Sequence, residues 1–189
     1  MGYDRNDASI DDISPARRAV DRAIIGLIEG FLDFFGRHWL FVLNFLHSAL
    51  VGIALLVPVL SYFGLSTIAS SIFRGYGLIC HQLPHRSDFL LGFQVPICQR
   101  DVAIYVSMAA AGIGFSFVRA RLRPLPLRVY VVLILPLAID GLAQLFGLHE
   151  SNWTLRTFTG GLFGAATVWL AYPHLQVGME EMRESLGRD

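Results

Sequence analysis

The run from Trp39 to Phe63 is about 25 residues long, rich in Val, Leu, Ile and Phe, and carries no formal charge. At 1.5 Å rise per residue such a run crosses a hydrocarbon core of about 30 Å with some tilt to spare. Three more apolar runs follow, Val102–Val118, Leu127–Gly147 and Phe158–Leu175, the first and last of them short. Of 189 residues 54% are hydrophobic and only 16% charged, too little polar surface for an ordinary soluble domain. The expected fold is therefore an all-α membrane protein, a bundle of about four transmembrane helices over residues 38–175. Pro58 predicts a kink in the first span.

The flanks divide in the same way. Residues 1–13 are polar and acidic and read as a disordered N-terminus with no signal-peptide pattern. Ser14 and Pro15 suit a helix start. Val20, Ile24, Leu27, Ile28, Phe31 and Phe35 then share one face, so 14–37 is expected to be an amphipathic helix lying in the membrane interface. Leu65–Ile79 is apolar but interrupted by Arg74, serines and glycines, and reads as a surface or re-entrant helix entering a Cys/His loop over 65–101. Residues 176–189 read as a tail.

Arg119, Arg121, Arg123 and Arg128 crowd one link, Arg17, Arg18, Arg22 and Arg37 precede the first span, and the link before the last span has only Arg156. By the positive-inside rule both termini are cytoplasmic and the 65–101 loop is exoplasmic. A crossing by Leu65–Ile79 would reverse this. The formal net charge is zero, which gives no reason to expect a nucleic-acid partner.

Chemistry concentrates between Leu78 and Tyr105, where both cysteines of the chain lie. Three readings of them stand side by side. A Cys80–Cys98 disulfide suits the exoplasmic side and closes a loop of about 19 residues, contributing roughly 3 kcal/mol. Alternatively Cys80, His81, Cys98 and Asp101 offer the ligand types of zinc or another transition metal, although adjacent Cys and His is unusual ligand spacing. The third reading is a reactive thiol beside His81 and Arg100.

Asp140 lies inside an apolar helix, about 10 Å below its edge, with Gln144 one turn nearer the surface. A carboxylate at that depth faces the bundle interior and needs a partner, for which Arg100 and Arg156 are the candidates. Asn44, His47 and Ser48 line one face of the first span. Ser151 or Asn152 suits a helix cap, Arg156 an anion fork, and Gly160, Gly161 and Gly164 a close helix contact. The sequence contains no phosphate-cradling glycine loop, nucleophile elbow or zinc-protease helix, and no reaction follows from it.

Four segments together resemble a family of prokaryotic membrane proteins, domain of unknown function 2085. They are Cys80-His81-Gln82-x-Pro84-x-Arg86-Ser87, Pro96-x-Cys98-x-Arg100-Asp101-x-x-Ile104-Tyr105, Asp140-Gly141-x-x-Gln144, and Glu150-Ser151-Asn152-x-x-x-Arg156-x-x-Thr159-Gly160-x-x-x-Gly164. Many relatives look like Cys-x-Arg-Cys where this chain has Cys98-Gln99-Arg100-Asp101. The resemblance implies a prokaryotic plasma membrane and no particular activity. The resulting expectation is an exoplasmic-side polar site that binds a metal ion, or a small anionic ligand or headgroup through Arg86, Arg100, Asp140, Gln144, Asn152 and Arg156. The alternative is a non-catalytic subunit of a larger membrane complex.

Overall fold

The computed structural model describes residues 15–187. The expected disordered segment at 1–13 and the Ser14 cap lie outside the described residues. The described chain is mostly helical. In order it forms helix α1 (Pro15–Tyr62), helix α2 (Ser66–Tyr76), a one-turn 3-10 helix (Pro84–Arg86), strands β1 (Ser87–Leu90) and β2 (Phe93–Cys98), and helices α3 (Gln99–Val118), α4 (Leu127–Leu145) and α5 (Trp153–Ser185). Three of these, α1, α3 and α4, are long and apolar enough to cross a membrane. α5 is long enough, but its run Phe158–Leu175 is diluted by glycines, threonines and His174.

Two compact units are present: residues 15–38 with 179–187, and Trp39–Gly178. In the first, Gly36 lies against the Arg183 and Met182 side chains, and Asp33 pairs with Arg37 one turn on at 3.0 Å. No break separates the segment expected to be amphipathic from the apolar run that follows, since α1 runs on through Arg37 and His38. Pro58 is also inside it. Proline leaves the Ala54 carbonyl without its helical donor. The Tyr76 hydroxyl reaches the neighbouring turn of the helix, donating to the Leu50 carbonyl at 2.5 Å.

In the second unit, α1, α3 and α5 meet through Trp39, Phe115 and Tyr172, whose ring centroids lie 5.4 to 6.3 Å apart. The edge-on geometry at Tyr172 is the favoured aromatic arrangement. α2 has 11 residues, about 16 Å of helix, half of what a crossing needs. The helix within Leu65–Ile79 is therefore too short to cross a membrane by itself.

Within this mostly helical chain, residues 87–98 fold as an antiparallel β-hairpin that the expectation did not include. Leu91 and Gly92 both have positive φ, the signature of a type I′ turn. Ser87 pairs with Cys98 and Phe89 with Gln94, so Asp88 faces the three residues Val95–Ile97. The middle one is Pro96, which has no N–H to give the ladder. Val95 and Ile97 pack with Ala54, Tyr76 and Cys80 into one apolar cluster. Through this cluster the hairpin holds the cysteine loop against α1 and α2.

Candidate functional site

Three helix ends converge at one end of the second unit: Arg100 opens α3, Asp140 lies near the close of α4, and Arg156 opens α5. The Arg100 guanidinium pairs with Asp140 Oδ2, and the Ser151 hydroxyl donates to the same oxygen at 2.9 Å. Asp140 is 5% exposed, so its charge is held by these two donors and not by water. Of the two partners expected for Asp140, Arg100 is the one used. Arg156 turns instead to neutral oxygens, Gln99 Oε1 at 3.1 Å and the His85 carbonyl at 3.4 Å.

Cys98 and Asp101 stand three residues apart at the start of α3 and so share a face. Asp101 in the first turn also suits the positive end of the helix dipole. Cys80 arrives from the loop after α2. That loop is riveted by Gln82, whose backbone takes a φ of 55° and whose amide donates to the Phe73 carbonyl at 2.6 Å and that of Pro96 at 3.1 Å. Gln94 returns a bond to the Gln82 carbonyl at 2.8 Å. As a result the ligand atoms of Cys80, Cys98 and Asp101 all lie within 4.8 Å of one another.

The two thiols are unbridged, with the cysteine pair 4.1 Å apart, whereas a disulfide needs about 2.05 Å between sulfurs. The Cys98 amide donates to the Cys80 sulfur at 3.2 Å. Hydrogen bonding from the Cys98 thiol pulls Cys80 below the usual thiol range, against the opposing effect of burial. The same contact, with burial and the Asp101 charge, pushes Cys98 up. Cys80 is thus the sulfur that ionises first, and its charge is already provided with two donors.

A cavity of about 200 Å³ opens beside this cluster. It is lined by Cys80, Cys98 and Asp101 and also by Arg86, Arg100, Arg156 and Gln144. Four buried polar atoms in this region have no hydrogen-bond partner: Arg100 Nε, Arg156 Nε, Gln144 Nε2 and Asp140 Oδ1. Buried polar groups are nearly always paired, so such a concentration sets this region apart from the rest of the packed interior.

Two expected site residues have other positions. His81 also lines the cavity, but it is exposed and outside the three-ligand cluster, because its neighbour Cys80 takes the inward direction. Asn152 caps α5, accepting from the Leu155 amide at 2.8 Å, and does not line the cavity. Conversely Gln99 carries no signal in the sequence, whereas Gln82 stands in the Cys80-His81-Gln82 motif and Ser151 at a position suited to capping. Of the three glycines of α5, Gly160 and Gly164 face α3, while Gly161 has open space beyond it.

Residues 80–170 match the family model described as predicted membrane protein, domain of unknown function 2085. An uncharacterised protein of Methanocaldococcus jannaschii is 33% identical over 125 residues, 62% of this chain and 80% of its own. An uncharacterised protein of Methanothermobacter thermautotrophicus is 32% identical over 82 residues, 43% of this chain and 74% of its own. No solved structure matches.

Proposed function

The chain belongs to the predicted membrane proteins grouped as domain of unknown function 2085, and on that premise we propose that it is a metal-binding protein of the bilayer. It holds a borderline divalent ion, zinc being the type case, through Cys80, Cys98 and Asp101. The observation that carries this reading is the approach of two sulfurs and a carboxylate to within 4.8 Å beside an open cavity. Three protein ligands with one position left open is the arrangement of reactive rather than purely structural zinc sites. The Arg100–Asp140 pair is then the frame that fixes α3 against α4 beside the ion. The bundle has four spans, the fourth being Phe158–Leu175 in α5. In this reading both termini are cytoplasmic and the site lies at the exoplasmic rim of a prokaryotic plasma membrane, which the arginine distribution and the shortness of α2 support.

Elemental analysis of the detergent-purified protein tests this. About one zinc-class ion per chain is expected, falling at least tenfold in Cys80→Ser and Cys98→Ser and unchanged in His81→Ala. Metal-free protein with a fully formed Cys80–Cys98 disulfide overturns the reading. A second reading, a subunit of a larger membrane complex, draws on α1 before Trp39, where Val20, Leu27 and Phe31 are more than half exposed. Co-purification in mild detergent decides it: one monodisperse species without a partner removes it.

A further inference from the structure

Arg156 is a buried cation with no ion-pair partner, attracted by an Asp140 carboxylate that is itself paired with Arg100. It is 5% exposed, it donates only to neutral oxygens, and its Nε donates to nothing. Among the described residues neither Arg156 nor the half-buried Arg86 has a carboxylate at ion-pair distance, whereas Arg100 has Asp140. A guanidinium out of water without a counter-charge is among the costliest arrangements in a protein. After burial, repulsion by Arg86 and Arg100 is the larger influence on the charge of Arg156, and the attraction of Cys98 and Asp140 offsets it only in part.

The surroundings are those of a donor-lined anion pocket. Arg156 Nε, Arg100 Nε and Gln144 Nε2 are three buried N–H groups without acceptors, and all three residues line the same cavity. Asp140 has already neutralised Arg100, and Asp101 stands with the thiols, which leaves the two charges of Arg86 and Arg156 unmatched. The species that satisfies three donors and two positive charges together is a compact dianion with several equivalent oxygens. A space of about 200 Å³ takes a phosphate group with some water beside it, each water filling about 30 Å³.

We propose that this cavity is a phosphate-binding subsite, with Arg156 as its anchor, Arg86 as the second cation and Gln144 as an orienting donor. The ligand is inorganic phosphate or the phosphomonoester head of an anionic lipid. The two share the chemistry that the site recognises. The subsite borders the metal centre but uses none of its ligands, so it stands if that centre does not.

The test is thermal unfolding of the purified full chain in a neutral detergent, with inorganic phosphate titrated at constant ionic strength. A second titration uses micelles doped with phosphatidic acid against phosphatidylcholine. A saturating rise in the midpoint is expected with phosphate, with phosphatidic acid, or with both, and the arm that responds identifies the source. Arg156→Gln is expected to raise the half-saturating concentration at least tenfold. Should that variant fail to fold, Arg86→Gln, at a half-exposed position whose side chain bonds only neighbouring His85 among the described residues, is expected to weaken binding several-fold. Cys98→Ser, which removes a metal ligand, is expected to leave the phosphate effect in place. No saturable response in either arm, or the same response in both arginine variants, overturns the proposal. So does loss of the response in Cys98→Ser, which would put the anion on the metal.

Discussion

Asparagine in place of Asp140 is expected to lower the thermal midpoint of the detergent-solubilised protein by about 10 °C, corresponding to a loss of about 3–5 kcal/mol. The substitution keeps the shape of the side chain and removes only its charge. What it leaves behind is the guanidinium of Arg100, whose side chain is 18% exposed and has no other carboxylate. In the native protein one oxygen of Asp140 serves both Arg100 and the Ser151 hydroxyl, so α3, α4 and the start of α5 lose their common tie together. Most of the loss should be regained when Arg100→Met is combined with Asp140→Leu, since an apolar pair of similar volume needs no counter-charge. A single variant within 1 kcal/mol of the native protein, checked by the midpoint in denaturant, would mean that water already reaches the pair.

Alanine at Gly164 is the second large effect. A Cβ there would come within 2.5 Å of the Ile104 carbonyl oxygen and would also meet the Ser107 hydroxyl. At Gly160 the added atom would lie 2.7 Å from the Arg100 carbonyl oxygen. Both obstacles include backbone, which cannot swing aside as a long side chain does, so α5 has to move off α3. Overpacking of this kind costs about 1–3 kcal/mol. The shift also draws Arg156, two turns earlier on α5, away from Gln99, so the variant tests the coupling of packing to the site. Gly161→Ala supplies the contrast. Nothing lies within 4 Å of its added atom, and helix propensity alone predicts a gain of about 0.5–1 kcal/mol. Equal midpoints for the Gly161 and Gly164 variants would show that α3 and α5 are not in close contact.

These glycines also show where sequence reasoning reaches its limit. A cluster of small residues at helical spacing is visible in the sequence, but which of them faces a neighbour depends on helix rotation, and only two of the three do. The apolar spans α1, α3 and α4 were legible because a charge-free run of such length has few places to go. The Arg100–Asp140 pair was legible for the related reason that an acid within an apolar helix needs a cation. The hairpin was not. Its turn is Leu91-Gly92 where Asn-Gly would have announced it, and Pro96 inside β2 argues against a strand. Continuity of α1 was hidden by Arg37 and His38, which look like an interfacial boundary. Gln99 carries no signal in the sequence because a neutral polar side chain has none until its partners are known, and adjacency to Cys80 says nothing about the direction His81 takes.

The metal centre is the claim on which the functional account turns, and X-ray absorption at the metal edge of protein purified from its native membrane tests it most directly. The account predicts a zinc-class ion with two sulfur neighbours at about 2.3 Å and oxygen neighbours at about 2.0–2.2 Å, supplied by Cys80, Cys98 and Asp101 and by solvent or ligand. A bound ion surrounded only by nitrogen and oxygen, or no ion and a Cys80–Cys98 bond, would contradict it.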